Sequence, residues 1–386
     1  MQPQETTIAQ DPADYAGRSV RPLRISLGRA LWPTLLSLAV VVAIAYATFD
    51  LTAFRKALAE LNLWLLAAAV ASVIARVVLG AWRLRYVSHR QLGFAAAVRA
   101  QLAWDFFSNI SPSAIGGGPL AAVYISRDQH VGLGDAAAFM LFAMLMDKVF
   151  FTLLIPTVLL ASSFVPVFPA YLGVVGVGGF ITVFAGILVW EVCFGYATLY
   201  RPEVLQKAAA CLTRLRWFRP VQVRIDREAE GLNARALLLR SQPVRFYLGG
   251  MGLTLLTWVA KLSLPLIVVL SVYPQADILL VELRTIAMSL GNLVLPTPGG
   301  SGGVEGLYAL LIGPLIPPTL VAPTLLTWRF LAYYVFLLAG IYLSMHHLHA
   351  ALHRRRDRRA PGATGVAGGR YTVTRPTENG LRSQEL

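Results

Sequence analysis

Along most of the chain, long apolar stretches alternate with short polar segments rich in Arg. Each long stretch is near the ~20 residues a helix needs to cross a hydrocarbon layer. The pattern predicts full crossings over residues 30–50, 62–82, 135–161, 166–192, 244–272 and 317–346. Two further apolar regions, 94–126 and 277–313, are split near their middle by Pro, Gly, Ser and Thr. Each is expected to form a re-entrant helical hairpin; a full crossing within each is the alternative. The predicted fold class is an all-α polytopic membrane protein with about six full transmembrane helices and two re-entrant hairpins related as an inverted repeat.

The interruption is a motif written twice. Pro112-Ser113 leads through Gly116-Gly117-Gly118 to Tyr124, and Pro296-Thr297 leads through Gly299-Gly300-Ser301-Gly302-Gly303 to Tyr308, twelve residues from Pro to Tyr in both. Asn109 and Asn292 stand just before the two copies. Broken backbone survives at bilayer depth only where protein or a water-filled cavity satisfies its free N–H and C=O groups. Paired interruptions in the two halves therefore point to a transport site. Gly-rich turns opening helices near Pro119 and Gly303 would also present free N–H groups and the positive dipole end to an anion. Glycines that merely allow close helix crossing are the plainer reading. Neither copy continues into Gly-Lys-Ser/Thr, so nucleotide hydrolysis is not supported.

Composition agrees with a membrane protein: 56% of residues are hydrophobic and only 14% charged, which excludes an ordinary soluble domain. The net charge of +14 is a topology signal. Twenty-six of the 34 basic residues fall in four segments: before the first span, after the second (Arg83, Arg85, Arg90, Arg99), from Tyr196 to Arg245, and beyond His346. The opposite loops are nearly bare, holding only Arg55 and Lys56. Basic loops face the cytoplasm, so both termini are expected there, with the first hairpin opening from the cytoplasm and the second from outside. Attraction to anionic lipid surfaces accounts for these loops, and a nucleic-acid partner is not expected. The domain reading is a disordered cytoplasmic N-terminus over 1–24, a first membrane half over 25–195 and a basic linker over 196–243. A second half over 244–348 and a disordered basic tail over 349–386 follow. The linker is read as an amphipathic surface helix or a solvated one.

Six basic residues lie within or beside apolar sequence: Arg76, Arg127 and Lys148 in the first half, Lys261, Arg284 and Arg329 in the second. At the offset that superposes Pro112 on Pro296, Arg76 falls one position from Lys261 and Lys148 within a helical turn of Arg329. An ionised group in hydrocarbon costs at least ~2.5 kcal/mol, so each should face a cavity or a partner. Asp147 diverges by about 100° from its neighbour Lys148 and is not its partner. Lys148 paired with Glu305 or Asp105 is one reading; binding of an anionic substrate group is the sharper one. Cys193 and Cys211 indicate neither a disulfide nor a metal site. The cluster His346, His347, His349 and His353 sits at a span end, where interfacial anchoring outweighs metal binding.

On these residues the chain resembles a known family. Gly116 to Tyr124, followed by Met146-Asp147-Lys148-Val149, looks like the first signature of the lysylphosphatidylglycerol synthase transmembrane family, and Leu295 to Gly306 is similar to its second. The family includes the flippase part of the multiple peptide resistance factor. The resemblance spans about residues 24–350 and implies lipid translocation between leaflets. Many members carry an acidic residue where this chain has Pro119, and no counterpart of the synthase's aminoacyl-transferase domain is present, so lysyl-lipid synthesis is not expected.

The expected function is thus movement of a phospholipid, glycolipid or other lipid-linked amphiphile across a bacterial-type inner membrane, without enzymatic activity, cofactor or metal. The expected substrate site comprises Arg76, Asn109, Ser113, Gly116, Gly117, Gly118, Lys148, Lys261, Asn292, Thr297, Gly299, Gly300, Gly302, Gly303 and Arg329. Asp147 and Glu305 would couple transport to protons or balance those charges. A homodimer is implied by family analogy only. The competing classes are a membrane-embedded lipid-modifying transferase, which usually needs clustered carboxylates, and a non-transporting scaffold of a lipid pathway.

Overall fold

The structure, a computed structural model, describes residues 27–48, 50–59, 61–111, 117–129, 131–200 and 241–343. Ser113 and Gly116, most of the 196–243 linker and both tails lie outside the described residues. Every described element is helical. In chain order they are α1 (Leu27–Thr48), α2 (Leu51–Ala59), α3 (Leu63–Val87), α4 (Phe94–Ile110), α5 (Gly118–Asp128), α6 (Leu133–Ala161) and α7 (Gly173–Tyr200). After the linker come α8 (Val244–Val272), α9 (Ile278–Asn292), α10 (Gly303–Leu311) and a last helix, α11, over Pro318–Leu343.

Five of these, within α3, α6, α7, α8 and α11, are long and apolar enough to cross a membrane. The first expected crossing is covered by the 22 residues of α1, whose apolar part, Pro33–Ala47, is shorter than the others. The fourth begins later than its hydropathy indicates. Pro166 and Pro169 hold the chain extended, and a single 3-10 turn, Ala170–Leu172, precedes α7. The second runs five residues past its expected end at Trp82, to Val87, which draws Arg83 into the helix.

Both apolar regions carrying the motif are split, as expected. α4 and α5 have 17 and 11 residues, α9 and α10 have 15 and 9, each too short to cross alone. Each pair folds back on itself, and the closing device is the same in both. Arg99, near the start of α4, donates through Nε (3.1 Å) and a terminal nitrogen (2.9 Å) to Asp128 at the end of α5. Arg284, near the start of α9, donates at 2.8 Å to the Leu311 carbonyl that ends α10, capping it, and at 2.9 Å to the Pro166 carbonyl.

α3 and α8 form the central antiparallel pair. The Ser271 carbonyl receives the Asn62 N–H at 2.9 Å, Ser72 Oγ donates to the Ala260 carbonyl at 2.7 Å, and Tyr86 stacks on Phe246 at 5.1 Å. The main core, with Phe151, Phe184, Tyr308 and Phe336, joins these helices to α6, α7, α10 and α11.

The second break is shaped by glycine. Gly300 has φ +68°, and a Cβ there would lie 1.9 Å from Asn292 Oδ1. Gly306, inside α10, has open space around it. Gly300→Ala is expected to destabilise the detergent-solubilised protein by roughly 1–3 kcal/mol, lowering its thermal midpoint. Gly306→Ala should leave the midpoint unchanged or raise it, by up to about 1 kcal/mol in stability.

Candidate functional site

The two breaks, 184 residues apart in the pattern of the chain, meet in space. The Gly299 N–H donates to the Ser111 carbonyl at 3.2 Å, so each break satisfies a backbone group of the other. Asn109 Nδ2 donates to the Tyr333 carbonyl at 3.2 Å, bringing α11 to the same junction. Gly299, at φ +58°, is closely overlaid: a Cβ would lie 2.6 Å from the Tyr333 ring and 2.9 Å from the Asn109 carbonyl oxygen. The side-chain oxygens of Asn292 and Thr297 are buried there without a hydrogen-bond partner. In the first copy, the Gly117 N–H donates to Ser108 Oγ at 3.1 Å, and Gly118 opens α5 with Pro119 in its first turn.

At the second copy the anion seat expected at the helix N-terminus is filled from within. Glu305, in the first turn of α10 and fully buried, accepts the Gly302 N–H at 2.8 Å. Gly303 begins that helix. The other oxygen of Glu305 accepts from Arg329 Nε at 2.6 Å and from Ser37 of α1. The Arg329 guanidinium lies over the Tyr333 ring, 4.5 Å from its centroid. Directly after Arg329 the helix widens into a π-turn, Phe330–Tyr334, a distortion that often marks functional sites. It places Tyr333 against the break and Tyr334 on Ser37, at 3.1 Å.

A second cluster sits between α3, α4, α6 and α8. Arg76 donates to Asp105 at 2.8 Å, with Phe336 of α11 under its guanidinium at 4.0 Å, and Gln101 steadies the same carboxylate at 3.1 Å. Arg83 pairs with Asp147, which also accepts Trp258 Nε1–H at 2.8 Å. Lys261 lies within electrostatic reach of both pairs. Its ammonium sits 4.2 Å from the centroid of the Trp258 ring, and it has no carboxylate partner among the described residues.

The exposure of Lys261 is informative. On α8 it shares a face with Thr254, Thr257, Leu264, Pro265 and Val268, all buried. Leu248, Leu255 and Val259 form the exposed, opposite face. Lys261 nevertheless keeps solvent-accessible surface on that inward face, as a side chain at an opening between the helices does, and it points away from the lipid-facing residues of α8.

Lys148 is elsewhere. It donates at 2.9 Å to Glu191 of α7, a carboxylate that is 2% exposed. This corrects the pairing expected for it: Glu305 is taken by Arg329 and Asp105 by Arg76, while Asp147 turns to Arg83 on a different helix face. Asp147 and Glu305 both stand as counter-charges to arginines. The structure thus joins Asn109, Asn292, Thr297, Gly299, Gly300, Gly302, Gly303, Glu305 and Arg329 at the breaks. Arg76, Asp147 and Lys261 belong to the second cluster, with Gly117 and Gly118 at the start of α5 and Lys148 apart at the α6–α7 contact. Arg83 and Glu191 were missed by the sequence reading. Arg83 stands seven residues from Arg76 on the same helix face, and Glu191 is a lone acid in an apolar span; both spacings were visible. Among the described residues no group of three His, Cys, Asp or Glu could hold a metal ion.

Long apolar helices, split helices and a charge-lined interior define the class: an all-α, multi-pass membrane protein. Within that class, residues 30–340 match the family described as lysylphosphatidylglycerol synthase TM region, and the chain belongs to that family. It is similar to a UPF0104 membrane protein of Archaeoglobus fulgidus, 24% identical over 274 residues that cover 67% of this chain and 80% of the relative. No solved structure matches the chain.

Removing one partner of a buried ion pair strands the other. Glu305→Leu and Arg329→Leu should each destabilise the protein by about 3–5 kcal/mol, while the double variant loses less than their sum, as a double-mutant cycle on thermal melts would show. In a background with Cys193 and Cys211 both replaced, Lys261→Cys should react with a water-soluble maleimide and Val259→Cys should not. Equal labelling would argue against an internal aqueous cavity.

Proposed function

We propose that this protein is a lipid translocator of a cell membrane, moving a phospholipid, glycolipid or other lipid-linked amphiphile between leaflets, and that it is not an enzyme. One observation carries the reading: two helix breaks from separate parts of the chain are bonded to each other through Gly299 and Ser111 inside the bundle. Irregular backbone of this kind at membrane depth lines or closes a transport pathway. The charged cavity at Lys261, one helix layer away through Arg76 and Phe336, supplies a polar route that a headgroup can follow while acyl chains stay in lipid.

In this reading the split pairs α4–α5 and α9–α10 are re-entrant hairpins that open on opposite sides of the membrane. Support comes from α3 and α8, which correspond within one position of the motif offset through Arg76 and Lys261 and run antiparallel, as an axis in the membrane plane requires. The hairpin-closing arginines, Arg99 and Arg284, likewise correspond within one position of that offset. The same reading puts both termini in the cytoplasm, with the basic linker and tail against anionic lipid, from the distribution of Lys and Arg in the sequence. Membership of a family described as lysylphosphatidylglycerol synthase TM region agrees with a lipid substrate. A dimer in the membrane is part of the same reading.

The test is leaflet-resolved movement of fluorescent lipids in proteoliposomes. Protein-dependent loss of protection of inner-leaflet label, selective among anionic, zwitterionic and cationic headgroups, is the expected result. If no lipid moves with folded protein present in both orientations, translocation is wrong and the transferase or scaffold readings take its place.

A further inference from the structure

We infer that the Lys261 cavity binds the phosphate of a lipid phosphodiester, and that it is matched to a ligand carrying one negative charge. The inference deepens the translocation reading and rests on it for the lipid character of the ligand.

Charge balance supports it. Arg76 and Arg83 are each neutralised by their own carboxylate, Asp105 and Asp147, and Lys261 adds one further positive charge within reach of all four. With Lys261 protonated, the cluster carries a surplus of one cation in an apolar bundle, where an uncompensated charge is costly. A single anion brings it to neutrality. A dianion would overshoot and leave a negative charge of its own in the same low-dielectric surroundings.

Geometry supports it as well. The ammonium is held over the Trp258 ring, whose N–H is anchored on Asp147 and whose faces and edge pack on Phe150 (5.9 Å) and Phe151 (4.5 Å). The cation–π contact positions the amine and leaves its three N–H donors available, whereas a carboxylate would consume them. Arg76 is oriented by Asp105, Gln101 and Phe336, and Arg83 by Asp147 and the Trp104 ring, 5.1 Å from its guanidinium, so the seat is preformed. A phosphodiester keeps one charge across the physiological range. A phosphomonoester, with a second pKa near about 6, takes up a second charge there.

The experiment is binding, independent of transport: native mass spectrometry and calorimetry on detergent-solubilised protein. The ligands are dioctanoyl phosphatidylmethanol (one diester charge), dioctanoyl phosphatidate (a monoester), dioctanoyl phosphatidylcholine, dioctanoylglycerol and inorganic phosphate. The diester is expected to bind best to wild type and to Lys261→Arg, and at least about tenfold more weakly to Lys261→Gln. Lys261→Gln removes an uncompensated charge, so its melting midpoint should not fall, and weakened binding then reports the site. Equal binding of the diester to wild type and Lys261→Gln overturns the assignment, as does equal binding of all five ligands. Inorganic phosphate bound as tightly as the diester overturns the lipid source. Phosphatidate bound more tightly than the diester at neutral pH overturns the single-charge match. Diester binding that depends on Lys261 without any leaflet movement would sink the translocation reading and leave this site standing; movement with no dependence on Lys261 would do the reverse.

Discussion

A charged side chain in an apolar helix bundle must meet an opposite charge or water, and that requirement organises this molecule. Four buried pairs each join different helices. Arg76–Asp105 ties α3 to α4, Arg83–Asp147 ties α3 to α6, Lys148–Glu191 ties α6 to α7, and Arg329–Glu305 ties α11 to α10. Trp258 adds α8 through Asp147, and Ser37 adds α1 through Glu305. Apolar packing between lipid-soluble helices has little preference for one register over another. The pairs supply that preference, because a shifted helix would strand a charge.

The same logic extends to the backbone. Each helix break frees N–H and C=O groups that hydrocarbon cannot satisfy, and the breaks solve the problem jointly through Gly299 and Ser111. Positive-φ glycines permit the turn, and the absent side chain at Gly299 lets Tyr333 and Asn109 approach. Glu305 then occupies the N-terminus of α10 and at once neutralises Arg329. The second Gly-rich turn is thus an anchor for the bundle, whereas Lys261, over the Trp258 ring on α8, has no carboxylate partner among the described residues. Anchoring and ligand contact fall to different residues of what the sequence presents as one kind of feature.

Membership of the lysylphosphatidylglycerol synthase TM region family sets the protein among membrane proteins whose description refers to lipid chemistry, and the distance to its Archaeoglobus relative is large. Specificity within such a family would reside in the few charges left over after structural pairing. Among the described residues Lys261, Glu282 and Arg284 have no charged partner, and of these Lys261 stands beside the Arg76 and Arg83 pairs, so its surroundings are where headgroup selection is proposed.

The spans, the two split regions and the duplicated motif were legible in the sequence because they depend on properties local to each stretch: apolar length, helix-breaking residues and spacing. The α8 span, Val244–Val272, agrees at both ends, since Pro243 and the polar turn after Val272 bound it locally. The start of α7 was not legible, because prolines and a 3-10 turn override an apolar stretch that hydropathy alone reads as helix. Which basic residue meets which acid was not legible either. Arg76, Lys148 and Arg329 read alike in sequence, yet each has a carboxylate partner, and Lys261 stands alone over Trp258. That difference depends on which helix faces adjoin in three dimensions. Sequence determined that these charges had to be buried and compensated; only the packing of helices far apart in the chain decided which of them was left facing a cavity.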